Sequence, residues 1–148
     1  MRRRQAIEAL IVALPETAGS ALYGMVDVLA ATGTLWRELV GKEPGSTLIR
    51  PRIVSTTCAP FRCGNGIPVT PDLSVSDDPS ARIVILPELW LAPDDDMRGR
   101  YPDLLDWIRR RYREGSAIYS ACSGSVLLAA TGLLNGREAT SHWGYQDL

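Results

Sequence analysis

The residues best suited to covalent chemistry lie between Ser116 and Trp143, in the stretch SAIYSACSGSVLLAATGLLNGREATSHW. Ala117 to Ala121 is short, apolar and partly β-favouring, and it runs without a breaker into Cys122-Ser123-Gly124, after which Val126 to Ala130 read as a buried helix. A strand, a sharp turn of small residues and a helix, in that order, can present one side chain above the strand end. Here that side chain is Cys122. Free N–H groups and the dipole of a helix start favour an anion, so the thiolate is stabilised there. The backbone N–H groups of Ser123 and Gly124 can hold a ligand's polar atom or a developing oxyanion. His142, the single histidine, is the second candidate, because an imidazole near a thiol can take its proton or hold the thiolate by charge. The competing readings are a buried cysteine in an ordinary strand-to-helix crossover and a histidine capping a helix that starts near Gly144.

The elements that must position these residues follow from the apolar spacing. Ile7 to Leu14 reads as the first, central strand of a parallel sheet, bounded by Pro15. Thr17 to Ser20 is a turn, and Leu22, Met25, Val26 and Leu29 recur at helical spacing, with Ser20 or Thr17 as N-cap and Gly33 closing the helix. Thr34 to Val40 extends it as a second short helix, and Leu48 to Ser55 is a strand in which Pro51 marks an edge or bulge. Cys58 to Ser76 reads as a hairpin excursion turning at Asn65-Gly66, its cysteines Cys58 and Cys63 unpaired or, alternatively, redox-active. Arg82 to Leu86 is a third core strand. Functional residues of doubly wound sheets sit at strand C-terminal ends, which puts Pro87-Glu88-Leu89-Trp90 on the rim with Cys122 and makes Glu88 a ligand-binding candidate. Asp94 to Asp96 reads as a solvated loop. The helix from Pro102 to Glu114 should bury Leu104, Leu105, Ile108 and Tyr112 and leave Arg109 to Arg113 as a solvated end.

Composition limits what such a chain can do. Its 148 residues, 45% hydrophobic and 22% charged, suit one compact domain and are too few for two ordinary ones. A formal charge of −1 gives no basic excess for nucleic-acid binding. Arg2-Arg3-Arg4 resembles a signal-peptide start, but the following IEALIVALPE contains Glu8, lacks a small-residue cleavage site and alternates like a strand, which favours a cytoplasmic protein. Three cysteines make no disulfide framework and one histidine is a poor metal supply, so no metal and no cofactor are expected. No repeat or membrane-spanning run is present.

The pattern AxCSGSxxLAxxGLLxGREATSHW resembles the nucleophile elbow and following segment of the ThiJ/PfpI superfamily, within the class I glutamine amidotransferase-like fold. It looks most like the branch that forms the N-terminal domain of AraC-type transcriptional regulators, which also resembles isonitrile hydratases. The resemblance implies an α/β, flavodoxin-like three-layer sandwich with a mainly parallel sheet and a cysteine nucleophile elbow. His142 stands twenty positions after Cys122, as the site histidine does in many members. Enzymatic members place an Asp or Glu beside the cysteine, six residues before an acidic position of the first helix. Asp27 matches that helix position, so the expected acid falls on Ala21, which cannot transfer a proton. Glu16, in the same loop, is the weak substitute, and Asp27 itself reads as a helix-surface acid.

Residues 1–148 are therefore expected to form one such domain lacking its C-terminal part. The leading functional expectation is a non-catalytic, ligand-sensing domain of an AraC-type regulator, binding a small molecule, assembling as a homodimer, and reaching DNA only through a C-terminal domain outside this chain. The ligand would meet Ser123, Gly124, Ala21 and Glu88. The alternatives are a cysteine-dependent enzyme of the isonitrile hydratase, amidase or glyoxalase kind using Cys122 and His142, and a stand-alone redox-sensing or protective protein using Cys122 oxidation.

Overall fold

A computed structural model describes residues 5–43, 45–92, 95–97 and 99–145. In chain order its strands are β1 (Ile7–Val12), β2 (Ile49–Ser55), β3 (Phe61–Cys63), β4 (Ile67–Val69), β5 (Leu73–Ser74), β6 (Ile83–Leu86) and β7 (Ala117–Ser120). The helices are α1 (Gly19–Ala30), α2 (Leu35–Leu39), α3 (Pro102–Arg113) and α4 (Gly124–Ala130). Five strands form one sheet in the order β5-β2-β1-β6-β7, and each neighbouring pair is parallel. β1 is central, as its uninterrupted apolar run requires of a strand buried on both faces. β3 and β4 form a separate antiparallel hairpin turning at Asn65-Gly66, where both residues have positive φ.

Alternate residues of each strand face alternate layers. Leu10 and Val12 of β1, Val84 and Leu86 of β6 and Ile118 of β7 pack with Leu104, Leu105, Trp107, Ile108, Val126 and Leu127 of α3 and α4. Ile11, Ile53 and Ile85 face the opposite layer, made of α1 and the hairpin. This is the expected three-layer α/β sandwich. The second layer is incomplete: α1 and the hairpin cover β1 and β2, whereas β7 carries Tyr119 at 56% exposure. The strand order reverses between β1 and β6, so the loops leaving those two strands form the rim where doubly wound folds place their sites.

Local expectations hold with informative exceptions. Pro51 lies where the outer side of β2 is open, since β5 pairs only with Val54 and Ser55; β5 itself is too short to show in the apolar pattern. The N-cap of α1 is Ala18, with no side-chain cap, instead of Ser20 or Thr17. The Thr17 hydroxyl instead accepts from the Leu14 N–H at 2.8 Å. On α3 the buried aromatic is Trp107, not Tyr112, because the indole N–H reaches the Pro79 carbonyl at 3.0 Å while Tyr112 turns out beneath Arg137. Nor is the arginine cluster all solvated. Arg111 is buried and, with Arg110, holds the Asp78 carboxylate, tying α3 to the turn after β5. Asp94 lies outside the described residues. Asp95 of the same run is paired with Arg100 rather than merely solvated, and the Ala92 N–H first, then Arg100, hold its carboxyl below the usual range.

Gly124, the first residue of α4, sits so close to the end of β6 that a Cβ there would collide with the carbonyl oxygens of Leu86 and Pro87. Backbone cannot give way as a flexible side chain can, so Gly124→Ala should lower stability by about 1–3 kcal/mol. Urea unfolding should show a lower midpoint at an unchanged slope.

Candidate functional site

Cys122 occupies the turn between β7 and α4, with its side chain exposed and its backbone at φ +51. That left-handed conformation costs a non-glycine residue about 1–2 kcal/mol, so neighbouring contacts must hold it. Upstream, the Ala121 N–H donates to the Leu86 carbonyl at 3.0 Å, extending the β6–β7 ladder. Downstream, the Gly124 N–H donates to the Ala121 carbonyl at 2.9 Å and the Ser125 N–H to the Cys122 carbonyl at 3.2 Å. The Gly124 N–H is thus committed to the turn. The N–H groups of Cys122 and Ser123 take no backbone partner among the described residues and are the donors left for a ligand.

The side chain of Ser123 does not face solvent. Its Oγ donates to the Leu89 carbonyl at 2.6 Å and accepts from the Leu89 N–H at 2.9 Å. Leu89 in turn forms an antiparallel bridge with Thr17, flanked by Ala18 N–H to Glu88 O at 2.9 Å and Trp90 N–H to Glu16 O at 2.7 Å. The loops after β1, β6 and β7 are therefore joined, placing Pro87-Glu88-Leu89-Trp90 on one rim with the cysteine turn. The Glu88 carboxylate is half-buried there and makes no side-chain hydrogen bond or ion pair among the described residues.

Glu16 is on this rim but its carboxylate is occupied. The Tyr101 hydroxyl lies 2.8 and 3.0 Å from its two oxygens, and Arg100 donates to it at 2.9 Å while also gripping Asp95. Glu16 thus fastens the segment ahead of α3 to the loop after β1. No local sequence signal marks this contact, because its partners lie some 84 and 85 positions away. Burial first, and the Glu16 carboxylate second, push the Tyr101 phenol well above the ordinary tyrosine range.

Ala21 lies on α1 and lines an open, mostly apolar cleft of about 560 Å³ with Gly24, Met25, Leu29, Ile85 and Tyr119, reaching Ala121 beside the cysteine. No acid lines that cleft, and Asp27 is exposed on the helix surface. His142 is placed differently: it is exposed, its Nδ1 accepts from the Gly144 N–H at 3.1 Å, and its ring lies 5.3 Å from that of Trp143. No hydrogen bond links it to Cys122. Its segment is anchored to the cysteine turn by the Ser125 hydroxyl, which donates to the Cys122 carbonyl and meets the Ser141 hydroxyl, each at 2.7 Å. Trp143 packs beneath nothing, being 81% exposed. Cys58 is exposed and Cys63 buried in the hairpin, both as free thiols, and burial pushes the Cys63 thiol up. Among the described residues no group of three or more His, Cys, Asp or Glu could hold a metal, and no helix is long and apolar enough to cross a membrane.

A family model described as the DJ-1/PfpI family matches residues 32–148. The chain belongs to the DJ-1/PfpI family. It is 27% identical to an isonitrile hydratase of Pseudomonas putida over 146 residues, 97% of this chain and 55% of that protein. It is 31% identical over 96 residues to the HTH-type transcriptional regulator CdhR of Pseudomonas aeruginosa, covering 65% of this chain and 27% of that one. The chain thus spans about half or less of these relatives. Among solved structures, a protein from Vibrio parahaemolyticus described as a transcriptional regulator superposes with a TM-score of 0.75 at 20% identity, over 97% of this chain and 70% of that one. Oxidised DJ-1 of Toxoplasma gondii gives 0.69 at 16% identity, over 96% and 70%. At those identities the structures establish the fold.

The Glu16–Tyr101 contact has a pH signature. A phenol whose folded pKa is raised lends stability that is fully present below its unfolded value of about 10 and is lost as pH rises from there through the folded value. Tyr101→Phe should therefore be less stable than the parent near neutral pH, by about 1 kcal/mol. That gap should narrow above pH 10, as read by urea midpoints measured from pH 7 to pH 11.

Proposed function

We propose that this chain is the ligand-sensing portion of a transcriptional regulator of the DJ-1/PfpI family, binding a small molecule without turning it over. The observation that supports this reading is the combination at Ala21 and Glu16. The position expected to hold the proton-transferring acid is an alanine opening on an apolar cleft, and the one nearby substitute is tied to Arg100 and Tyr101. A thiolate and backbone donors can begin an attack on carbon, but completing it needs a proton delivered and a water activated. In this reading Cys122 and the Ser123 N–H meet the polar end of a carbonyl, nitrile or amine-like ligand, Gly124 shapes the turn, and Ala21 and Glu88 border the bound molecule. His142 remains as a group for proton transfer, without a hydrogen bond to Cys122. Similarity to the regulator CdhR fits this role, and with a net charge of −1 DNA contact falls to an AraC-type helix-turn-helix domain outside this chain. The protein works in the cytoplasm in this reading.

Similarity to isonitrile hydratase along 97% of the chain favours a second reading, a cysteine-dependent hydratase or hydrolase. Loss of a positioned general acid or base costs on the order of a hundredfold to ten-thousandfold in rate. The parent protein should accordingly show turnover of isonitrile and amide substrates near background, as should Cys122→Ser, while Ala21→Asp should gain activity that depends on Cys122. Robust parent turnover abolished in Cys122→Ser would establish the enzyme instead.

Ligand occupancy reaches DNA most directly through dimer geometry. Trp36, Leu39 and Trp143 are strongly exposed and Trp90 is nearly half-exposed, aromatic and apolar surface suited to a subunit contact. Sedimentation equilibrium should give a homodimer; a monomer across the whole concentration range would remove this assembly.

A further inference from the structure

We propose that Ser123 is a positioning residue for Cys122, its buried hydroxyl clamping the cysteine turn onto the Leu89 backbone so that the thiol is held outward in its left-handed conformation. The proposal rests on the reading of Cys122 as the site thiol that meets the ligand. A serine at a helix N-cap ordinarily turns its oxygen back onto the first N–H groups of its own helix. Ser123 is the N-cap of α4 and makes no such bond. Its hydroxyl, with no exposed surface, reaches across to another loop and satisfies both the N–H and the carbonyl of Leu89. One side chain thereby does what a neighbouring strand would do.

The consequence falls on the preceding residue. Cys122 at φ +51 is held upstream by the Ala121–Leu86 ladder bond and downstream by the turn bonds of Gly124 and Ser125, and Ser123 ties that turn to the loop after β6. Leu89 is a firm anchor because the Thr17 bridge fixes it from the opposite flank. Without the hydroxyl, the turn keeps its own bonds but loses its tie to Leu89, and Cys122 relaxes toward negative φ, as an L-residue prefers. That relaxation moves the sulfur from its present place on the rim and changes its reactivity. The sulfur chemistry is untouched by the substitution; only its placement is.

The test is alkylation by iodoacetamide at neutral pH, followed by peptide mass spectrometry of all three cysteines in the same chain. Exposed Cys58 supplies the reference rate and buried Cys63 reports any general loosening. Ser123→Ala removes the hydroxyl, and the pair Ser123→Thr and Ser123→Val keeps one shape while differing in the hydroxyl alone. The ratio of Cys122 to Cys58 rates should fall at least fivefold in Ser123→Ala and Ser123→Val, stay within twofold of the parent in Ser123→Thr, and do so with Cys63 still protected. Equal ratios in the Thr and Val variants would overturn the proposal, and so would Cys63 labelling that rises in step with the Cys122 change. A parent ratio at or below one would instead count against Cys122 as the reacting thiol, while the Thr-to-Val comparison still decides whether the hydroxyl places it.

Discussion

The backbone of Leu89 is where three strand-end loops of this protein meet. Its N–H and carbonyl are both buried and both need partners, because an unpaired peptide group away from water costs about 1–3 kcal/mol. Ser123 supplies them from the loop after β7, and the bridge to Thr17 brings in the loop after β1. Loops at a switch point of strand order diverge from one another, and in an unoccupied α/β crevice nothing else need hold them together. Here the hydrogen-bonding demand of one buried residue does so. The cysteine turn, the close approach of Gly124 to the end of β6 and the entry into α1 all lie beside this junction.

Around it, the layers on the two sides of the sheet differ in completeness. The α3 and α4 layer is filled by Trp107 and a run of leucines and isoleucines, and is fastened at its far end by the Asp78 carboxylate between Arg110 and Arg111. The α1 layer covers β1 and β2 and then stops, leaving Ile85 and Tyr119 beside an apolar cleft. Parallel strands bury both faces as a rule, so this cleft is where the fold has binding energy unspent. It adjoins the cysteine turn through Ala121.

Family membership and site chemistry separate cleanly in this chain. The strand–turn–helix around Cys122 is present, as the DJ-1/PfpI family match leads one to expect. The carboxylates around it do different work: Glu16 is bound to Arg100 and Tyr101, Asp27 faces solvent, and Glu88 alone stands on the rim without a partner among the described residues.

The sequence by itself determined the features that depend on local chemistry. The apolar runs containing Ile7–Val12 and Ile83–Leu86 are strands because an inner parallel strand has no polar face to show, and Asn65-Gly66 is a hairpin turn because both residues tolerate positive φ. The small residues after Ala121 mark the cysteine turn for the same reason of backbone geometry. Only the tertiary structure decided which polar groups those elements would use. Trp107 displaced Tyr112 from the core because the Pro79 carbonyl lay within reach of its indole, Thr17 gave up capping for the Leu14 N–H, and Ser123 bonded across the rim instead of along its helix. The Trp107 and Ser123 bonds join residues distant in the chain, and a hydrogen bond between such residues leaves no periodicity to read.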